Sequence, residues 1–181
     1  MNSQPEARDG LIFRGWLIVA MILFAAAIRI VPHPWNLAPV GAMALFSGAV
    51  VRNRVVAFLF PLAALAAGDL FIGFHILVPV VYASFLVSVG VGFWLRENRT
   101  ILRLGGAALV GAMQFFLITN LGVWMFLTSY PKSLAGLVAC YDAGIPLFWN
   151  TLAGDVLFSG VLFGALFLAE RTYPALKPAR A

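Results

Sequence analysis

Three hydrophilic residues, Asp69, Asn120 and Asp155, lie inside strongly apolar stretches of the sequence. Charged and amide side chains are costly inside a bilayer, and they usually mark a binding site, an ion path or a buried pair. Two carboxylates and an amide could hold a small polar ligand or a cation. The aspartates could instead pair with Arg29 and hold helices together, and this alternative stays open.

Aromatic, imidazole and thiol groups flank these three residues in the sequence. Trp124 follows Asn120 by one helical turn and therefore shares its face. Small-molecule sites are mostly apolar with a few placed polar groups, which is the composition that these residues would give. The candidate substrate-binding residues are Arg29, His33, Asn36, Asp69, His75, Tyr82, Asn120, Trp124, Cys140, Tyr141, Asn150 and Asp155.

Metal binding and catalysis receive less support from the residue pattern. His33, His75, Cys140 and an aspartate could converge on a metal ion, but HxxxH, CxxC and HExxH are absent from the sequence, so metal binding stays unassigned. Intramembrane proteolysis needs an activated nucleophile or paired aspartates, and neither GxSxG nor GxGD occurs. We therefore expect no enzyme activity, and the sequence names no cofactor.

The composition is that of a membrane protein. Apolar residues make up 62% of the 181 residues and charged residues 10%, whereas a soluble domain is about half apolar and about a quarter charged. The basic residues lie singly or in pairs, which does not favour nucleic-acid binding. We expect one transmembrane domain over 1–181, with short polar tails at 1–10 and 171–181, surrounded by the lipid bilayer.

Hydropathy and spanning length predict an all-α, six-helix integral membrane bundle. The second segment is too short to cross a core of about 30 Å comfortably at 1.5 Å per residue, so it should be buried among its neighbours. The predicted helices cover 12–31, 38–51, 55–73, 76–95, 103–127 and 147–169.

The distribution of basic residues predicts that both termini are cytoplasmic, because Lys and Arg collect on that side of short loops. Arg29 and Lys132 alone fall on the outer side of a six-helix arrangement. The inner side holds Arg8, Arg14, Arg52, Arg54, Arg96, Arg99, Arg103, Arg171, Lys177 and Arg180. A multi-pass protein of the bacterial cytoplasmic membrane follows, with its polar residues gathered toward the outer half.

The segment 128–146 is predicted to be an outer connection, in the form of a lid, a re-entrant loop or an interfacial helix. Gly136 and Gly144 would then be hinges of a lid over an outward-facing pocket, because glycine adopts backbone conformations that other residues avoid.

The chain resembles a family of small, uncharacterised bacterial membrane proteins in several segments. These are PHPWNLAPVGAMALFSGA at 32–49, PLAALAAGDLFIGFH at 61–75, FFLITNLGVW at 115–124 and CYDAGIPLFWNTLAGD at 140–155. More distantly, it is similar to the S-components of energy-coupling-factor (ECF) vitamin transporters. That resemblance implies six helices, a ligand pocket beneath outer loops and an ECF-type coupling module as a partner. A solitary cobalamin-handling relative of those proteins makes cobalamin a candidate substrate, with Cys140, His33 or His75 as the group that approaches cobalt.

Two functions of different classes follow from these observations. The first is a substrate-binding uptake protein for a small, vitamin-like nutrient. The second is a non-transporting assembly factor or partner subunit, in which polar residues stabilise packing. In that case small-residue steps such as Gly160 and Gly164 would form an interface, including one for self-association. Metal-ion transport and an intramembrane enzyme rank below these two.

Overall fold

The computed structural model describes residues 3–28 and 36–176, and all regular structure in these ranges is helical. The helices are α1 (Ser3–Ile28), α2 (Val40–Val50), α3 (Arg54–Ile72), α4 (Val78–Trp94), α5 (Ile101–Phe126) and α6 (Leu134–Thr172), followed by a 3-10 turn at Pro174–Leu176. Three of them, α3, α5 and α6, are long and apolar enough to cross a membrane. The expected all-α class is therefore confirmed.

The predicted positions of α2 to α5 agree with the structure to within two residues at each end. The first helix begins earlier than expected, at Ser3, because hydropathy gives no weight to its polar first turns. Its predicted end at 31 lies outside the described residues. Inside α1, Arg14 is buried and pairs with Glu170 of α6 at 2.8 Å, so the first half of α1 lies beside the last turn of α6.

The prediction of a long outer connection over 128–146 is wrong. The sixth helix begins at Leu134, and Ser133 caps it by accepting a hydrogen bond from the backbone N–H of Gly136. Pro146 lies inside this helix, where neighbouring helices allow a membrane helix to accommodate a proline. Only 127–133 connects α5 to α6.

Gly136 and Gly144 are not lid hinges, because both are buried within α6. A Cβ at Gly136 would overlap the carbonyl of Pro131, and one at Gly144 would overlap the side chain of Asn120. Both glycines serve close packing.

The short helix α2 lies at the centre of the bundle. Ten of its 11 residues are buried, and it contacts each of the other five α helices. At 1.5 Å per residue it is about 16 Å long, roughly half of a membrane core. The expectation that this segment is buried among its neighbours is confirmed.

Two glycines bring α2 and α4 into backbone contact. A Cβ at Gly92 would overlap the carbonyl oxygen of Leu45, and one at Gly48 would overlap that of Val89. Since only hydrogen fits at either position, small residues set the separation of these helices, as is common in membrane bundles.

The last carbonyl groups of α2 are bound by two arginines from the α4–α5 connection. The guanidinium of Arg96 donates to the carbonyl oxygens of Gly48 and Val51, each at 2.8 Å, and Arg99 donates to Ala49 at 3.1 Å. These cations lie at the negative end of the helix dipole. Burial lowers the pKa of both arginines, but arginine stays charged at neutral pH.

We expect Gly92→Ala to lower the free energy of unfolding by about 1–3 kcal/mol, because the methyl group would force α2 and α4 apart. Thermal unfolding in detergent would measure this. Gly90→Ala in the same helix is the control: its Cβ would meet nothing within 4 Å, and it should stabilise by about 0.5–1 kcal/mol. Equal melting temperatures for the two variants would contradict the close-contact argument.

We expect Arg96→Met to destabilise the protein by about 1.5–3 kcal/mol, since it removes charged donors from buried carbonyl groups and keeps most of the aliphatic stem. Arg52→Met is the matched control, because the Arg52 side chain is exposed. If Arg96→Met loses no more stability than Arg52→Met, water replaces the Arg96 side chain at the end of α2.

Candidate functional site

The first turn of α2 meets a buried carboxylate from α6. Asp155 is 2% exposed, and its carboxylate lies directly against Gly41, beside the backbone N–H of Ala42 in the first turn of α2. The residue before the helix, Pro39, supplies no side-chain cap. Asp155 therefore takes the capping role, with its carboxyl oxygens at the positive end of the helix dipole.

Gly41 makes this contact possible. A Cβ at Gly41 would overlap the carboxylate of Asp155, so any larger residue would displace the acid from the start of α2. The sequence identified Asp155 as a candidate but gave no indication that its neighbour would be the shortest helix.

Polar groups of α4 and α5 lie next to this carboxylate. Gln114 donates through Nε2 to Ser88 Oγ at 2.8 Å and to the carbonyl oxygen of Ser84 at 3.0 Å. Gly111 lies between these groups and the acid: its Cβ would be 3.8 Å from Ser88 Oγ and 3.9 Å from Asp155 Oδ2. We name Gly41, Ala42, Ser88, Gln114 and Asp155 the α2 cluster.

One hydrogen-bond acceptor of the α2 cluster receives no hydrogen bond from the described residues. Gln114 Oε1 is buried and has no hydrogen-bond partner among the described residues. Sequence reasoning missed Gln114 and Ser88, although the criterion applied to Asn120, a polar side chain within an apolar stretch, would have selected Gln114. Ser88 carried no such signal, because hydroxyls within membrane helices often bond to their own backbone.

A second buried carboxylate joins the ends of α3 and α4. Asp69 is 3% exposed, and Tyr82 donates its hydroxyl hydrogen bond to Asp69 Oδ2 at 2.7 Å. The structure thus brings together two of the predicted site residues. This hydrogen bond joins α4 to α3.

Asn120 and Cys140 pack α5 against α6. Asn120 donates to the carbonyl oxygen of Phe116 at 2.8 Å, and Cys140 Sγ lies 3.4 Å from the carbonyl oxygen of Asn120. The Asn120 side chain also lies directly against Gly144. Both predicted site residues therefore meet each other at a helix–helix contact.

Trp124 and Tyr141 also bind backbone carbonyl groups. The indole N–H of Trp124 donates to Pro131 at 2.9 Å, and the Tyr141 hydroxyl donates to Leu117 at 2.8 Å. Lys132 closes the same connection by donating to the carbonyl oxygens of Trp124 and Leu127. These bonds order the 127–133 turn and the start of α6.

The remaining predicted site residues lie elsewhere. Asn36 is exposed with a φ of 63°, a conformation that asparagine tolerates better than most residues. His75 is exposed and Asn150 is half-buried. Arg29 and His33 lie outside the described residues. Within the described ranges, no group of three His, Cys, Asp or Glu side chains could hold a metal ion.

Asp69, Asn120 and Asp155 lie at similar distances along their own helices from the ends that are rich in arginine. Counting 1.5 Å per residue, they are about 22, 28 and 26 Å from the α3, α5 and α6 ends at which the arginines gather. The described residues line a groove of about 970 Å³ between the first part of α5 and the last part of α6, and a shallower one of about 390 Å³ beside Tyr141. Neither is lined by any of these three residues.

The fold and the site define a small all-α protein with three helices capable of crossing a membrane and buried acids between them. The chain belongs to the family described as "Family of unknown function (DUF6580)", whose sequence pattern matches residues 11–176. No curated protein and no solved structure matches the chain.

We expect Asp155→Ala to destabilise the protein by about 1–3 kcal/mol, because the buried N–H of Ala42 would lose its acceptor. Asp155→Asn keeps an oxygen in the same place and should retain most of that stability. Thermal unfolding in detergent distinguishes the two variants. Asp142→Ala, at an exposed position of the same helix, is the control. Equal stability of Asp155→Ala and Asp155→Asn would rule out the capping role.

Proposed function

We propose that this protein is a membrane-embedded substrate-binding and uptake protein for a small nutrient, with its ligand held at the α2 cluster. The proposal includes a multi-pass arrangement in the bacterial cytoplasmic membrane with both termini inside. The single observation that carries it is the convergence of Asp155, Ser88 and Gln114 at the start of a half-length helix.

The energetics of the α2 cluster support this proposal. Buried polar groups within a bundle are expensive unless they are paired, yet three helices direct hydrophilic side chains to one place. Gln114 Oε1 lacks a hydrogen-bond donor among the described residues. A ligand with an N–H or O–H group would supply that donor, and the Asp155 carboxylate would favour a ligand that donates or carries positive charge.

The short helix supports the same proposal. Transporters commonly place their substrate beside helices that are interrupted within the membrane, because the helix ends there offer free backbone groups. Irregular backbone at membrane depth is tolerated where protein or a cavity surrounds it. The chain at 36–39 precedes α2 without helical structure, and Pro39 is buried.

The charge distribution supports the orientation. Arg96 and Arg99 lie at the end of the bundle where Arg14 meets Glu170, and positive residues favour the cytoplasmic side. The α2 cluster and Asp69 would then be reached from the opposite, outer face. An ECF-type coupling module is the corresponding partner if uptake uses an external energy source, and cobalamin is one candidate within the vitamin class.

A non-transporting partner subunit or assembly factor is the second candidate. It is favoured by the internal hydrogen bonds of Asn120, Trp124, Cys140 and Tyr141. Those four residues have a sufficient explanation in the packing of α5 against α6.

The test is recovery of a bound compound. The protein, purified from its native membrane, is denatured, and the released small molecules are identified by mass spectrometry; a panel of vitamins that includes cobalamin is then screened by thermal shift. We expect one compound at near-equimolar amount, and about ten-fold weaker binding in Gln114→Leu, because a buried polar contact to the ligand is lost.

Thr119→Val is the control for Gln114→Leu, since among the described residues the Thr119 hydroxyl bonds within its own helix, to Phe115 at 2.7 Å. It should bind the compound as the wild type does. If no compound is recovered or shifts the melting temperature, while a second protein is co-purified in fixed ratio, the partner-subunit function replaces uptake.

A further inference from the structure

The groove between α5 and α6, the α5–α6 groove, has an apolar body and a charged end. Its apolar end is lined by Ala108 and Val156, and its other end by Arg99, Thr100 and Glu170. Between them Gly160 leaves open space, since a Cβ there would meet nothing within 4 Å. The α5–α6 groove is therefore apolar along most of its length and polar at one end.

The length of the groove corresponds to one leaflet. From Val156 to Glu170 the helix rises about 21 Å at 1.5 Å per residue. Half of a core of about 30 Å, with one headgroup layer of about 5–7 Å, gives nearly the same length. A partner helix that crossed the whole membrane would extend well beyond this groove, so its extent favours a lipid.

The charges at the polar end favour an anion. Arg99 lines this end of the groove and is half-buried, so its guanidinium is partly accessible from the groove. Arg103 lies over the ring of Trp94 at 5.3 Å and adds a second positive charge in the first turn of α5. Glu170, the one acid among the described residues that line the groove, already pairs with Arg14.

The start of α5 adds to the positive electrostatic potential at the polar end of the groove. Its first turn forms part of the groove wall, and the N-terminal end of a helix carries partial positive charge. Glu97 is exposed and does not line the groove. Among the described residues, Arg99 and Glu170 are the charged side chains that line the groove, and Glu170 is paired with Arg14. The charge left at this end is therefore positive, and basic pockets between helices at the cytoplasmic side of membranes bind anionic headgroups.

We propose that the α5–α6 groove binds one anionic phospholipid, with an acyl chain along Gly160 and the phosphate beside Arg99 and the first turn of α5. This site is separate from the α2 cluster and does not depend on the uptake function.

The test is native mass spectrometry of the full-length protein in detergent, with phosphatidylglycerol or phosphatidylcholine added. The wild type should retain one phosphatidylglycerol in preference to phosphatidylcholine. Arg99→Gln should lower that preference about five-fold, which corresponds to about 1 kcal/mol for one arginine near the headgroups. Arg99→Lys should keep most of it, and Arg171→Gln, at an exposed arginine outside the groove, should leave it unchanged.

Gly160→Leu tests the apolar body separately, because its side chain would fill open space without displacing a neighbour. We expect it to reduce retention of both lipids while the protein keeps its melting temperature, so a folding defect in Arg99→Gln would not leave the proposal undecided. Wild-type retention and preference in both Arg99→Gln and Gly160→Leu would overturn it. A protein dimer that Gly160→Leu abolishes, with no bound lipid in the wild type, would assign the groove to a second copy.

Discussion

Both ends of α2 are bound by polar side chains from elsewhere in the chain, and the central packing of the bundle depends on this. A helix leaves unpaired N–H groups at its start and unpaired carbonyl groups at its end, and neither can be left bare within an apolar interior. Here Asp155 binds the start, and Arg96 and Arg99 bind the end. The positive charges of the two arginines match the negative end of the helix dipole.

The glycine contacts and the charged caps place α2 by different means. Gly48 and Gly92 set the distance between α2 and α4, and Gly41 sets how closely Asp155 approaches. Since α2 contacts every other α helix, a substitution at any of these glycines would alter the packing of the whole bundle. In the proposed uptake function, a ligand that competes for Asp155 would loosen the start of α2. The contacts of α2 with the other helices would then carry this change through the bundle.

The two ends of the bundle hold their polar groups differently. Near the α5–α6 turn, Trp124, Cys140 and Tyr141 donate to backbone carbonyl groups outside their own helices and fix a helix junction. At the opposite end, the arginines are shared between the end of α2, Glu170 and the polar end of the α5–α6 groove. The α2 cluster differs from both, because the buried Gln114 Oε1 has no donor among the described residues.

The amino-acid sequence by itself determined the helical class, the positions of α2 to α5 and the burial of the short second helix, because apolar length and spanning distance are local properties of the chain. It also selected Asp69, Asn120 and Asp155 as costly polar residues. Hydropathy did not predict that α6 begins at Leu134, because Asp142 and Pro146 interrupt the apolar run. Ser133, however, is a recognisable helix cap.

Only the tertiary structure decided which groups meet. Asp155 with the first turn of α2, Arg96 with its last turn, Arg14 with Glu170 and Gln114 with Ser88 are contacts between residues far apart in the chain. Periodicity assigns a residue to a face of its own helix, but the neighbour of that face depends on how six helices pack. For that reason the polar residues were visible in the sequence, while the grouping of Asp155, Ser88 and Gln114 was not.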